Sequence, residues 1–128
     1  MHLLLDSSVL IDALRLRRGR RQWLAGLVRG GHSLATSTLN IAEVYAGMRP
    51  QEEMQTKAFL GALPCYEITA SVAEMAGKLK RQWEQKGRTL TLADTIIAAV
   101  ALQQKCALAT DNRKDFPMSD LKLYKLPE

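Results

Sequence analysis

Apolar and polar positions along this chain follow first one rhythm and then another, so strands and helices are predicted in turn. Leu3-Leu4-Leu5 is an unbroken apolar run, the form taken by a strand covered on both faces. Ser7 can cap a helix carrying Val9, Leu10, Ala13 and Leu14 on one side. Trp23, Leu24, Leu27 and Val28 form the stripe of a second helix, ended by Gly30-Gly31. Ser33 to Thr36 reads as a strand, and a helix from about Asn40 to Met48 turns Ile41, Val44 and Met48 inward until Pro50 stops it. Residues 51–62 read as helical again, through Met54, Ala58 and Leu60. A short strand is expected near Tyr66 to Ile68, and Ser71-Val72-Ala73-Glu74 has the pattern of a capping box. That box opens a helix with Val72, Met75, Ala76, Leu79 and Trp83 at helical spacing, closed by Gly87. The segment from about Leu92 to Gln104 is apolar nearly all round, as buried helices are. Ala107 to Ala109 and an edge-like Leu121 to Leu126 complete the strands.

Strands alternating with helices predict an α/β fold with a mainly parallel sheet covered on both faces. No repeat or linker divides the chain, so residues 1–128 are expected to form one domain. In such sheets ligands bind beyond the carboxyl ends of the strands, and acids fall there. Asp6 follows the first strand directly, while Thr110, Asp111, Asn112 and Asp115 offer oxygens in a loop after a later one. Glu43 and Asp94 lie near the starts of two helices. Each has a local explanation. Asp6 fits an N-cap or turn acid, Asn40-x-x-Glu43 fits a reciprocal cap, and Thr91-x-x-Asp94 fits a capping box. An Asx-turn accounts for one or two oxygens of the last group, not for their concentration. Together the acids raise an energetic problem: two carboxylates about 4 Å apart repel by roughly 4 kcal/mol at an effective dielectric near 20. Clustered acids therefore need protons or a cation, and oxygen-only ligation favours Mg²⁺ or Mn²⁺ over zinc.

Charge bears on what such a site would act on. Eighteen Lys and Arg against thirteen Asp and Glu give +5, so an acidic pocket would sit in a basic protein. That combination suits an anionic polymer held by its phosphates, although +5 also serves simple solubility. Arg15, Arg17, Arg18, Arg20 and Arg21 crowd around Gly19, either as a contact for RNA phosphate or an acidic peptide, or as a solvated helix connection. Arg113 and Lys114 lie beside the proposed site and are better placed to position phosphate. Cys65 and Cys106 stand far apart in no metal-like spacing, which reads as structural thiols in a reducing compartment. No segment has the length and apolarity of a membrane span, and the opening residues lack the basic start of a signal peptide. A cytoplasmic protein is expected.

The order Asp6-Ser7-Ser8 after an apolar strand, Glu43 in Leu-Asn-Ile-Ala-Glu-Val-Tyr-Ala-Gly, Asp94 in Leu-Ala-Asp-Thr-Ile-Ile-Ala-Ala, and Ala-Thr-Asp-Asn-Arg-Lys-Asp-Phe resembles the PIN-domain ribonucleases. Within them it is similar to the VapC-type toxins of toxin–antitoxin pairs. The resemblance runs from residue 3 to about 123, and the Glu43 and Asp94 segments are its most specific parts. It implies a three-layer α/β/α sandwich around a mainly parallel sheet, and Mg²⁺- or Mn²⁺-dependent cleavage of RNA by activated water. Carried over, Asp6, Glu43 and Asp94 hold metal directly or through water, while Ser7 and Thr110 match hydroxyl positions that shape the site. A VapB-like antitoxin and a homodimer are implied too, with apolar helices near residues 40–62 as surface for association. Two departures stand out. Ser7 replaces a common Thr, keeping the hydroxyl. The usual fourth acid falls at Asn112, so that Asp111, Asn112 and Asp115 all remain candidates.

Other readings share parts of this pattern. An RNA-maturation nuclease would use the same acids, and a degenerate partner of a DNA-binding regulator would bind without cutting. A phosphatase needs Asp-x-Asp after the first strand, where Asp6-Ser7-Ser8 stands, and a receiver domain needs paired acids near the N-terminus. Neither pattern is present.

Overall fold

The computed structural model describes residues 1–127; Glu128, the last position of the expected domain, lies outside the described residues. Five strands form one sheet in the order β3-β2-β1-β4-β5, with every neighbouring pair parallel. These are β1 (His2–Leu5), β2 (Ser33–Ser37), β3 (Cys65–Tyr66), β4 (Ala107–Ala109) and β5 (Leu123–Tyr124). The helices are α1 (Ser7–Leu14), α2 (Arg20–Arg29), α3 (Thr38–Gly47), α4 (Glu53–Gly61), α5 (Ala70–Gln85) and α6 (Leu92–Gln104), with short 3₁₀ turns at Pro50–Glu52 and Arg113–Asp115.

The apolar opening of the chain explains the layering. Leu3, Leu4 and Leu5 are wholly buried, because β1 lies mid-sheet between β2 and β4 with helices on both faces. Successive strand side chains point to opposite faces. Leu4 accordingly joins one core with Val72 and Ala76 of α5 and Ile97 and Val100 of α6. Leu3 and Leu5 join the other, with Val9 and Leu10 of α1, Leu24 of α2, Val44 of α3 and Leu60 of α4. Each fully buried leucine contributes about 1.5–3 kcal/mol relative to an exposed one. This is the expected three-layer α/β/α arrangement.

The chain winds outward from β1 through β2 to β3, then returns to lay β4 against the other side of β1. Loops leaving β1 and β4 therefore diverge, opening a crevice at their carboxyl ends. Asp6 ends β1 with its amide donating to the Ala109 carbonyl at 3.0 Å, and Thr110 ends β4.

Several element boundaries differ from expectation, and capping chemistry explains most of them. Asp6, not Ser7, is the N-cap of α1; it is extended, and its carboxylate accepts from the Ser7 amide. Helix α3 starts at Thr38 because Ser37, leaving β2 still extended, accepts from the Asn40 amide. Thr69 caps α5 in place of Ser71 by accepting from Val72. Residues 51–62 divide at Glu53, where the 3₁₀ turn begun by Pro50 gives way to α4. The third strand is Cys65–Tyr66 rather than Tyr66–Ile68, and the last is confined to Leu123–Tyr124. Val28 points outward, 56% exposed, so the α2 stripe is narrower than its spacing implied. Among the described residues no helix is long and apolar enough to cross a membrane.

Because Leu4 fills the face beneath α5 and α6, Leu4→Ala should lower the free energy of unfolding by about 2–5 kcal/mol. Urea denaturation checks this; a loss below about 1 kcal/mol would contradict the packing described.

Candidate active site

Asp6 is 6% exposed, and its two carboxylate oxygens are separately engaged. One accepts from the Ser7 amide at 2.8 Å and the other from the Thr110 hydroxyl at 2.7 Å. Thr110 is itself held, its oxygen accepting from the Asn112 amide at 3.0 Å. The Ser7 hydroxyl donates to Glu43 at 2.6 Å and accepts from the Asn40 side-chain amide at 3.0 Å. Ser37 donates to the Asn40 carbonyl oxygen at 2.5 Å. A directed chain, Ser37 to Asn40 to Ser7 to Glu43, thus ends on a carboxylate, and chains of this kind polarise one another. Asn40 is wholly buried and bridges two elements, a role that its position in a cap-like tetrad concealed.

Asp94 occupies the first turn of α6, where the Thr91 hydroxyl caps the helix by accepting from the Asp94 amide at 3.1 Å. Its carboxyl is pushed above the ordinary range by burial, against a lowering by Thr91, and the charges of Asp115 and Asp6 raise it further. Burial likewise raises Asp6; the hydrogen bonds from Thr110 and Ser7 oppose this, and the charges of Glu43 and Asp111 add to it. Asp6 thus lies within the field of Glu43 and Asp111, and Asp94 within that of Asp115 and Asp6.

The two flanking acids differ in their partners. Asp111 is bound by Arg20 at 2.8 Å and by Arg18 at 3.1 Å. Arg20 is wholly buried, and its Nε lies 4.0 Å from Asp12. Asp115, in contrast, forms no ion pair among the described residues, and neither do Asp6, Glu43 or Asp94. Asn112 and Arg113 are exposed, and so is Lys114, whose carbonyl accepts from Arg88. The arginine-rich stretch also divides. Arg15 grips Glu52 through two nitrogens, each at 3.1 Å, holding the Glu52 carboxyl at about 2.

A divalent cation can be tested against these side chains. The donor set is oxygen only, which suits a hard cation. Acids raised by burial and by one another, with hydroxyls and amides rather than cations around them, are what such an ion would relieve. Among the described residues no three His, Cys, Asp or Glu side chains converge closely enough to hold an ion unaided. The chemistry fits, and the acids are held from the protein side. Sequence reasoning missed Asp12 and the bridging role of Asn40. An acid flanked in sequence by the apolar Ile11 and Ala13 of α1 was the available signal for the former.

A family profile described as PIN domain matches residues 3–118. Ribonuclease VapC19 of Mycobacterium tuberculosis is 32% identical over 115 residues, covering 90% of this chain and 92% of its own. Among solved structures, one described as VapBC2 from Rickettsia felis bound to a DNA fragment from their promoter superposes with a TM-score of 0.86. It covers 99% of this chain and 100% of that one at 24% identity, a likeness of fold. A toxin–antitoxin complex from Klebsiella pneumoniae is 27% identical, with a TM-score of 0.75, over 94% of this chain and 99% of that one.

Raised carboxyls carry a pH signature. Above the ordinary aspartate value of 3.8 the folded chain binds more protons at Asp94 than the unfolded chain does. Stability from this group is therefore complete below that value and is lost as pH rises through the folded one. In EDTA, Asp94→Asn should melt above the parent at neutral pH, and the gap should close as pH falls toward 4. A constant gap, or a lower melting point at neutral pH, would refute the assignment.

Proposed function

The chain belongs to the PIN-domain family, and from that premise we propose that it is a Mg²⁺- or Mn²⁺-dependent endoribonuclease, the toxin of a toxin–antitoxin pair. The observation that carries this reading is a buried Asp6 that lies in the field of Glu43 and acts in turn on Asp94, with neutral donors alone hydrogen-bonded to Asp6 and Glu43. Asp6, Glu43 and Asp94 would hold the cation, directly or through water. When bound there it would supply an activated water and offset charge developing on the phosphate.

The remaining work belongs to the chain. Thr110 fixes the rotamer of Asp6, and Ser7 fixes Glu43, each by a hydroxyl that leaves the carboxylate charge intact. Asn40 and Ser37 lock Ser7 so that its proton points at Glu43. Of the three candidates for a fourth position, Asp115 fits best, since its charge acts on Asp94 and it has no guanidinium partner among the described residues. Asp111 is occupied by two arginines, and Asn112 brings no charge. Arg113 and Lys114 stand exposed beside the crevice, in reach of a phosphate backbone.

The VapC name of the relative and the toxin–antitoxin assembly of the Klebsiella neighbour support a small VapB-like antitoxin as partner. The same reading includes a homodimer, a cytoplasmic location and residues 1–128 acting as one nuclease domain. Apolar surface for association is present on α4, where Met54 is 85% exposed.

Purified protein should cleave structured RNA only with Mg²⁺ or Mn²⁺, and Asp6→Asn or Asp94→Asn should abolish cleavage on a denaturing gel. Cleavage that survives EDTA, or persists in both variants, would sink the mechanism. Expression in a bacterial host should arrest growth, with relief by a co-expressed neighbouring open reading frame. Normal growth at confirmed expression favours an RNA-processing nuclease instead.

A further inference from the structure

The five arginines between Arg15 and Arg21 do not act as one patch. Arg15 is spent on Glu52, and Arg20 is buried against Asp111. Arg18 alone leans toward the crevice while staying open to solvent, its side chain 51% exposed and 3.1 Å from Asp111. Beside it opens a cavity of about 380 Å³, lined by Arg18, Thr110, Asp111, Arg113, Lys125 and Pro127 among others. Arg18, Arg113 and Lys125 line it with one carboxylate, Asp111, which Arg20 also engages, while Arg18 lies 3.8 Å from Asp12 outside the lining. Cations thus outnumber acids in the cavity wall. It also adjoins the acids through a single residue, because Thr110 forms part of its wall and donates to Asp6.

The turn that presents Arg18 is strained. Leu16 and Arg18 both have φ of +55°, and Gly19 has +64°. For a side chain bearing a Cβ this conformation costs about 1–2 kcal/mol per residue, and only Gly19 adopts it freely. The turn is held by the Arg17 amide on the Asp12 carbonyl at 2.7 Å and the Arg20 amide on the Arg17 carbonyl at 3.0 Å. Arg20 fastens the far wall too, since its guanidinium donates to the Pro127 carbonyl at 3.4 Å. A buried guanidinium thus ties together the strained turn, the loop after β4 and the C-terminal segment. Strain persists only where surrounding contacts hold it, and here those contacts keep Arg18 beside the cavity.

Resting on the ribonuclease reading, we propose that Arg18, Arg113 and Lys125 form a subsite for an RNA phosphate neighbouring the one cleaved, with Arg18 as a positioning residue. RNA is favoured over an acidic peptide because Thr110 both lines this cavity and donates to Asp6 of the proposed nuclease site, so a strand cut there runs into it.

The test uses the full chain carrying Asp94→Asn, which keeps RNA intact, and a short fluorescein-labelled single-stranded RNA of mixed sequence read by anisotropy. Adding Arg18→Gln and Lys125→Gln should weaken binding about tenfold and reduce the slope of log affinity against log salt by about 0.7, the value for one single-strand phosphate contact. The pair Lys78→Gln and Arg81→Gln, on α5 across the sheet, should leave the slope unchanged. Equal losses from both pairs would overturn the subsite, and so would displacement of the RNA by polyglutamate as effectively as by unlabelled RNA. Wild-type cleavage with no slope change in the Arg18–Lys125 pair overturns the subsite alone. Pocket-dependent binding by a wild type that never cleaves upholds the subsite and overturns the nuclease reading.

Discussion

Burial of carboxylates at the carboxyl edge of a buried strand, with other acids close by, is the constraint around which this molecule is arranged. Asp6 has almost no access to solvent and lies within the field of Glu43 and Asp111, so its ionised form is disfavoured from several directions. A lysine or arginine beside it would remove the problem by cancelling the charge. The chain instead surrounds Asp6 and Glu43 with Ser7, Thr110, Asn40 and Ser37, which fix direction without neutralising. Hydrogen bonds from neutral donors steady a carboxylate and leave its field available to a cation.

Where a guanidinium does appear, it has a different purpose. Arg20 is fully buried, and burying a charge is tolerated only when its partners are close and well aligned. Asp111 meets that requirement at 2.8 Å, with the Pro127 carbonyl and Asp12 farther out. The loop after β4 is thereby divided between two tasks within a few residues. Thr110 faces the acids, Asp111 faces the arginines, and Asp115 turns back toward Asp94. Asp111 is thus a structural tie, whereas Asp115 has no ion-pair partner among the described residues.

How much of this could be read from the chain depended on how local the cause was. Helix α6 and strand β4 have the expected bounds, Leu92–Gln104 and Ala107–Ala109, because continuous apolar runs and a Thr91 cap specify them within a few residues. The parallel sheet covered on both faces followed from strands alternating with helices, with Leu3-Leu4-Leu5 consistent with its buried centre. Caps were less legible. Ser37 and Thr69 displaced Asn40 and Ser71, since the choice among adjacent polar residues depends on which one is still extended when the strand or loop ends. Pairings across long separations could not be read at all. Arg20 and Asp111 are 91 positions apart, and nothing near either announces the other. The helix expected over residues 51–62 forms as Glu53–Gly61, but which of its apolar residues face inward was not legible, since Met54 keeps helical spacing and faces solvent.

The two outer strands, β3 and β5, each contribute only two residues to the ladder, pairing Thr36 and Ser37 on one side and Leu108 and Ala109 on the other. Exposed strand edges ordinarily invite another chain to add itself through backbone hydrogen bonds. Here a visiting strand would find a template of only two residues on either flank. Association is thereby directed away from main-chain pairing, which accepts almost any sequence, and toward the side chains of helices and loops, which do not. Selectivity toward whatever this protein meets is in that sense built into the brevity of its sheet.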